Sequence, residues 1–316
     1  MRGYIANTDY DWYRFLGARQ PEEVNFWRPG GVATFNSLAA GEPLFFKLKK
    51  RYNSAIVGFG FYVSFTKLRV PMAWEVFKEA NGAGSLETMW VRIARYVHRR
   101  PDDPQFRATH EVGCILLTSP VFFEPEDWVS GPADWHHNIP GGVSYDLSTG
   151  EGQRIWDECK LRLSGRHLPD AVAANLSLSN ELERYGPGRI VHPRLGQGTF
   201  RVVITDSYQR ACAVTRERSL PALEAAHIKP YAKGGEHSLP NGLLLRADIH
   251  RLFDAGYVTV TPDKRFLVSK RLKEDFDNGA IYYALAGIEI ASPQRPEDWP
   301  DREALEWHNE KVFVAY

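Results

Sequence analysis

The sequence predicts an α+β fold divided into two domains. Its 316 residues are about twice the usual domain length of roughly 100–200 residues, so each half can bury a core of its own. The composition, 43% hydrophobic and 25% charged, is typical of a fully folded globular chain. Strand-like runs and helical periodicities also alternate along the chain without an internal repeat.

The N-terminal half combines patterns of both kinds. Three runs rich in aromatic and branched apolar residues are typical of strands: 44–49, 55–63 and 112–117. A helix is predicted at 71–80, and a second one after Ser85, where apolar residues recur at helical spacing. We expect these elements to form one mixed sheet or small barrel with helices beside it.

The middle of the chain predicts a domain boundary. The segment 131–152 is rich in Gly and Pro and has few apolar runs, which favours a long loop. Residues 154–185 then have a helical pattern, which Pro187 and Pro193 interrupt. We therefore expect a first domain, a helical linker and a second domain at 1–150, 151–195 and 196–316.

Charge and cysteine content exclude several protein classes. Lys and Arg together number 39, as do Asp and Glu, so contact with nucleic acid requires local basic patches. Cys114, Cys159 and Cys212 are too few and too widely spaced for a disulfide framework or a four-cysteine zinc site. The longest charge-free apolar stretch, at 52–66, is too short to span a membrane. These features predict a soluble cytoplasmic protein with reduced thiols.

A strand-loop-strand-helix pattern at 223–256 contains four polar residues of chemical interest. His227 ends a short apolar strand, and Asn241 follows 14 residues later, just before the next strand. His250 and Asp254 are four residues apart on a short helix, so both side chains project from one face. An imidazole and a carboxylate placed in this way can bind one divalent cation, such as Zn²⁺, Mn²⁺ or Mg²⁺.

The order and spacing of these residues resemble the HNH endonucleases, which have the ββα-metal fold. The resemblance covers roughly residues 200–275. It implies that His227 is the general base that activates water against a DNA phosphodiester. It also implies that Asn241 holds the loop between the strands, and that His250 and Asp254 bind a single divalent metal. Mg²⁺ or Mn²⁺ is expected there, with Zn²⁺ and Ni²⁺ as further candidates.

Two positions depart from the family pattern. Many relatives place a metal-binding Asp or His directly before the general base, where this chain has Ala226. A third ligand is then absent, unless Glu224 replaces it. Other relatives bind a structural zinc ion through paired CxxC motifs, of which only Cys212 remains, so no structural zinc is expected.

The N-terminal half is similar in layout to EVE and related PUA-like domains. The similarity is carried by an aromatic segment at 3–13, by Asn25-Phe26-Trp27, and by a Gly-containing turn and strand at 41–48. It implies a pocket that accepts a flipped modified base between aromatic rings. Trp12 and Trp27 are the candidate walls, although tryptophans in such positions are more often core residues.

A basic stretch supports contact with DNA in the same half. No acidic residue occurs between Glu42 and Glu75, whereas six Lys and Arg residues do: Lys47, Lys49, Lys50, Arg51, Lys67 and Arg69. Lys49, Lys50 and Arg51 are the candidate phosphate contacts. The alternative interpretation is a solvated loop between two strands.

Together the two halves predict a modification-dependent restriction endonuclease. It would bind double-stranded DNA carrying 5-methylcytosine or 5-hydroxymethylcytosine and cut it with a one-metal HNH site. Because one such site cuts one strand, a homodimer or paired binding is expected. Two alternatives stay open: a DNA-modification reader with a degenerate HNH module, and a less selective HNH nuclease whose first domain binds a partner.

Overall fold

The computed structural model describes residues 1–31, 34–136, 138–164, 168–185 and 195–315, without the side chains of 178–185. This part of the chain forms two compact units, Met1–Thr199 and Phe200–Tyr316. Both units contain helices and strands, which confirms the predicted α+β class. The helix break expected at 186–194 lies outside the described residues. Within those residues, no helix is long and apolar enough to cross a membrane.

The first unit is built on a mixed six-stranded sheet. Its strands are β1 (Arg2–Asn7), β2 (Glu23–Arg28), β3 (Pro43–Lys47), β4 (Ile56–Arg69), β5 (Glu111–Phe122) and β6 (Gly142–Asp146). Their order across the sheet is β2-β5-β4-β3-β1-β6, in which β1 and β3 are parallel and the other neighbours antiparallel. The helices of this unit are α1 (Tyr10–Gly17), α2 (Val70–Phe77), α3 (Leu86–Tyr96), α4 (Pro104–Thr109), α5 (Gly150–Leu163) and α6 (Asp170–Tyr185).

The elements predicted in this half are present. The three strand-like runs correspond to β3, β4 and β5, of which β4 and β5 are longer than their apolar runs. The two predicted helices are α2 and α3, and the hydroxyl of Ser85 caps α3 by accepting the backbone N–H of Thr88 at 3.1 Å. Aromatic runs and capping residues therefore predict the local structure here.

Strand β6 lies in the stretch that was expected to be a loop. It pairs antiparallel with β1 along five residues, from Asp146 opposite Arg2 to Gly142 opposite Ala6. Its own side chains are exposed or half-buried, because it forms the outer edge of the sheet. Backbone pairing to β1 holds it in place, so it carries no apolar pattern from which it could be predicted.

Both faces of the sheet carry a core. Along β1, Tyr4 packs in one apolar cluster and its neighbour Ile5 in the other, as alternation along a strand requires. Helix α5 contributes Trp156 to the second cluster, where the indole meets Phe45 and Phe59 edge-on at 5.9 and 5.4 Å. Residues 151–163, expected in a linker, therefore contribute to the first unit's core.

The second unit contains the predicted strand-loop-strand-helix. Helix α7 (Gln197–Ser207) spans the division between the units in sequence, and the later elements are β7 (Leu223–His227), β8 (Gly242–Arg246), α8 (Ala247–Asp254), β9 (Val258–Val260), β10 (Phe266–Val268), α9 (Arg271–Phe276), α10 (Ala280–Tyr283) and α11 (Arg302–Lys311). Strands β7 and β8 pair antiparallel, with His227 opposite Gly242, and α8 follows β8 without a loop. Gly256 has a φ of 79° just after α8, which is the left-handed conformation expected of glycine there.

Two buried contacts hold this motif in its unit. The Sγ atom of Cys212 accepts the backbone N–H groups of Thr215 and Arg246 at 3.4 and 3.3 Å, which ties the chain before β7 to the junction of β8 and α8. On the other side, His308 of α11 stacks on Phe253 of α8 at 3.7 Å. The helix that carries the predicted metal ligands is therefore packed on a buried support.

Candidate active site

The structure brings the predicted C-terminal residues to one place. His227 is the last residue of β7, Asn241 directly precedes β8, and His250 and Asp254 lie on α8. His227 is close enough to His250 for the two imidazoles to interact electrostatically. The local hairpin and the helix that follows it without a loop account for this convergence.

His227 is a half-buried imidazole with two aromatic neighbours. Its ring stacks on Phe200 of α7 at 4.0 Å and 7°, and its Nε2 lies 3.2 Å from Nδ1 of His237. Burial, reinforced by His237 and His250, lowers the pKa of His227 to about 4. The ring is therefore neutral at pH 7, which is the form that can accept a proton from water.

Asn241 holds the loop between the two strands. Its Oδ1 accepts the backbone N–H of Lys229 at 2.9 Å, while its Nδ2 donates to the carbonyls of Lys229 and Glu236 at 2.9 and 2.8 Å. The side chain is 6% exposed, so these bonds form away from solvent. The contacts are those that the resemblance to the HNH nucleases implies for this residue.

His250 lies between two carboxylates. Its Nδ1 is 2.7 Å from Oε2 of Glu224, and its Nε2 is 3.3 Å from Oδ2 of Asp254. A metal ion binds an imidazole through one nitrogen, and the other nitrogen usually donates its proton to a carboxylate. Nε2 of His250 and the Asp254 carboxylate thus form a donor pair that fits one divalent ion, with Glu224 orienting the ring.

The sequence offered Glu224 as a possible replacement for the missing third ligand. Its carboxylate is bonded to the ring nitrogen of His250 that faces away from Asp254. Ala226 itself is fully buried and has no donor atom. Among the described residues, no group of three or more His, Cys, Asp or Glu side chains is arranged to hold a metal. Mg²⁺ usually keeps several water ligands, so a donor pair such as His250 and Asp254 is compatible with it.

Sequence analysis did not identify His237 or Phe200 as parts of the site. Both contact His227, and His237 lies in the loop that Asn241 holds. Phe200 is fully buried and 27 residues before His227, so no local pattern connects them. For His237 a signal existed, because it is a histidine only four residues before the Asn of the motif.

The predicted reader residues have different surroundings. Trp12 is 4% exposed and packs edge-on against Phe26 and Phe46 at 5.4 and 5.1 Å. The structure thus places Trp12 in the core rather than on the wall of a pocket. Trp27 is half-buried, and its indole N–H donates to the carbonyl of Asn81 at 2.8 Å.

The basic stretch divides into exposed and buried cations. Lys49, Lys50 and Arg51 are exposed, and Arg51 lies over the ring of Tyr52 at 4.8 Å. Lys47, expected in the same patch, is instead 3% exposed, and burial lowers its pKa. Its side chain cannot contribute to an exposed patch of six charges.

Lys47 belongs to a small cluster that the sequence did not reveal. Its Nζ lies 4.3 Å from the centre of the Trp135 ring and 3.4 Å from Oδ1 of Asn7. Nδ2 of Asn7 in turn donates to the carbonyl of Ile139 at 3.0 Å. The first unit thus combines a half-buried indole with amide and ammonium donors at the ends of β1 and β3.

Comparisons with solved structures find two similar proteins. ASCH from Zymomonas mobilis is 10% identical over a match that covers 49% of this chain and 94% of that one, with a TM-score of 0.31. The modification-dependent restriction endonuclease TagI is 15% identical over 92% of this chain and 75% of that one, with a TM-score of 0.27. No curated protein matches the chain.

The sequence of residues 212–261 matches the HNH endonuclease family. This segment contains β7, β8 and α8 with all four predicted residues, and it confirms the predicted enzyme class. HNH nucleases typically use one divalent metal ion, for which His250 and Asp254 are suitable ligands. The chain therefore carries an HNH endonuclease domain at residues 212–261.

Proposed function

We propose that this protein is a modification-dependent DNA endonuclease, in which the second unit cuts and the first unit binds a modified base. The observation that carries the nuclease part is the convergence of His227, His250 and Asp254 on a ββα motif within the segment that matches the HNH family. The base is proposed to be 5-methylcytosine or 5-hydroxymethylcytosine in double-stranded DNA.

The residues of the second unit have different roles in phosphodiester hydrolysis. His227 is neutral at pH 7 and takes the proton of the attacking water. Asn241 keeps the adjoining loop closed, so that the imidazole stays in one position. Glu224 orients His250, which with Asp254 provides the metal-binding donors. A bound divalent ion, Mg²⁺ or Mn²⁺, supplies positive charge that stabilises the developing negative charge on the phosphate.

The first unit supplies surfaces suited to DNA. Lys49, Lys50 and Arg51 are exposed next to Tyr52, and cations beside aromatic rings are common in sites that bind nucleic acids. Trp27 and Trp135, whose ring covers the ammonium group of Lys47, are the candidates for base recognition, whereas the buried Trp12 is not. Base readers combine a ring for stacking with polar groups for the base edge.

The alternative of a degenerate nuclease is disfavoured by one contact. Glu224 lies 2.7 Å from Nδ1 of His250, and a contact that orients a metal-binding imidazole is not expected in a domain that no longer binds metal. Because one site cuts one strand, a homodimer or paired binding completes the proposal for double-strand cleavage. The less selective nuclease remains as the second candidate, since it requires the same active site.

Matched DNA duplexes distinguish these functions. The full chain is incubated with plain, methylated, hydroxymethylated, glucosylated or phosphorothioate duplexes of one sequence, in Mg²⁺ or Mn²⁺. We expect cleavage of duplexes with methylated or hydroxymethylated cytosine and none by the His227→Ala variant. Equal cleavage of all duplexes would establish the less selective nuclease instead. Binding to modified DNA without cleavage in either metal would establish the degenerate reader.

A further inference from the structure

His237 fixes the position of the His227 imidazole together with Phe200. Nδ1 of His237 is 3.2 Å from Nε2 of His227, and the two rings meet edge-on with their centres 4.7 Å apart. Phe200 stacks on His227 at 4.0 Å and also meets the His237 ring edge-on at 5.9 Å. The three rings form one packed group, in which His227 has little freedom to rotate.

The hydrogen bond between the two histidines determines which nitrogen of His227 is basic. One imidazole must donate an N–H and the other must accept it with a lone pair. If His237 donates, the proton of neutral His227 lies on Nδ1, and neither nitrogen of His227 can take a proton from water. If His237 accepts, His227 carries its proton on Nε2 and its Nδ1 lone pair is available.

The surroundings of the second nitrogen agree with the second arrangement. Within the part of the chain that the structure describes, Nδ1 of His227 has no hydrogen-bond partner. The ionisable groups that influence His227 are His237 from the loop and His250 from α8, while α7 contributes the apolar ring of Phe200. Among the described residues, no carboxylate bonds to His227. His237 is therefore the group that determines which nitrogen of His227 carries the proton.

We propose that His237 is a positioning residue, which accepts the Nε2–H of His227 and thereby keeps Nδ1 of His227 free to take the proton of the attacking water. The inference deepens the proposed function and rests on it, because it assumes that His227 is the general base. It does not require His237 to touch the DNA. The role corresponds to that of a group that selects the tautomer of a catalytic imidazole.

Substitution of His237 separates this role from simple packing. His237→Phe retains a ring but cannot accept a hydrogen bond, and we expect cleavage to fall about 10- to 100-fold in kcat, as loss of an outer orienting partner usually does. His237→Asp restores an acceptor, so it should regain most of the activity. Its negative charge should also raise the pKa of His227, which moves the acidic limb of the pH-rate profile to higher pH. Tyr231→Phe, a change in the same loop, should leave both unchanged.

Nitrogen NMR of the histidine rings in the full, metal-free chain provides a test that does not depend on activity. We expect the Nε2–H tautomer for His227 in the wild type and in His237→Asp. An Nδ1–H tautomer in the wild type, or full activity of His237→Phe, would overturn the inference. If His227→Ala also cuts DNA normally, the proposed general base is wrong. Inactive His227→Ala with fully active His237→Phe would contradict only the inference about His237.

Discussion

The carboxylate of Glu224 on β7 lies 2.7 Å from Nδ1 of His250 on α8, at the opposite side of the imidazole from Asp254. The pair joins the first strand of the motif to its helix and determines which ring nitrogen is left for a metal ion. Ala226 has no side-chain donor, and Glu224 is the carboxylate that holds Nδ1 of His250. The proposed metal ligands His250 and Asp254 should therefore be sensitive to a residue that need not touch the metal.

Replacing Glu224 with Gln should weaken metal binding without unfolding the chain. The neutral amide is a poorer acceptor for the Nδ1–H of His250, and loss of such outer partners typically lowers metal affinity about 10- to 100-fold. Calorimetric titration with Mn²⁺ measures the effect. Glu236→Gln is the control, because that side chain is exposed and only its backbone carbonyl bonds to Asn241. Equal affinities of the two variants would show that Glu224 has no influence on the metal site.

The exposed cations of the first unit should contribute to binding of any DNA sequence. Each phosphate contact that is lost should reduce the slope of log affinity against log salt by about 0.9. Neutralising Lys49, Lys50 and Arg51 together should therefore weaken binding to plain and modified duplexes alike and flatten the salt dependence. Fluorescence anisotropy at several salt concentrations measures both quantities.

A charge-matched control for this triple variant lies on the same unit. Arg95, Arg99 and Arg100 are exposed, but Arg99 and Arg100 already form ion pairs with Asp103 and Asp102. Their replacement with Gln changes the net charge by the same amount and should have a smaller effect on the slope. If the first triple variant keeps the wild-type slope, the basic stretch is a solvated loop.

How much the sequence predicts depends on whether neighbours in space are neighbours in the chain. The ββα motif was predicted because His227, Asn241, His250 and Asp254 lie within 28 residues, and their positions follow from a hairpin and one helix. The contact of His237 with His227 lies within the same loop, but spacing alone does not determine where a loop side chain points.

The other features that were missed are set by contacts between distant parts of the chain. Strand β6 forms by backbone pairing with β1, which lies about 140 residues earlier in the chain. Helix α5 packs on the core through Trp156. Trp12 and Lys47 are buried by residues from other elements, so their aromatic and basic character suggested exposed roles that the packing does not allow. Burial of an individual side chain is a property of the assembled fold.

Acid should destabilise the second unit through His308. The His308 ring is 2% exposed. Its Nε2–H donates to the carbonyl of Phe253 at 3.1 Å. Because a neutral imidazole carries one proton, its Nδ1 accepts the hydroxyl proton of Thr259 at 2.8 Å. Burial lowers the pKa of His308 to about 4, below the usual value of about 6.5 for the unfolded chain. The unfolded state therefore binds the proton first. The stability that neutral His308 provides is complete above about pH 6.5 and is lost as the pH falls towards 4.

The size of this effect follows from the shift. A difference of about 2.5 pKa units corresponds to about 3 kcal/mol in the free energy of unfolding between the two ends of that range. Urea denaturation of the wild type at several pH values should show the slope, and His308→Gln should lack this part of it while His227 and the carboxyl groups still titrate. Identical pH profiles would mean that His308 does not govern acid stability.

The two candidate tryptophans of the first unit should respond differently to replacement with alanine. Trp12 is a core residue, and its loss should cost about 3–5 kcal/mol of stability, as large core truncations do. Trp27 is half-buried near the surface aromatic Tyr96, with ring centres 6.4 Å apart. If it stacks on the base, Trp27→Ala should lower affinity for modified DNA by about 1–3 kcal/mol, with little effect on plain DNA.

Binding isotherms with modified and plain duplexes, together with thermal unfolding, separate these outcomes. Trp135→Ala is the companion variant, because it removes another half-buried indole of the unit and exposes the ammonium group of Lys47. Loss of discrimination in Trp135→Ala but not in Trp27→Ala would place the base beside Lys47. If both variants are stable and still discriminate modified from plain DNA, neither indole takes part in base recognition. If a C-terminal fragment still prefers modified DNA, the nuclease unit itself recognises the modified base.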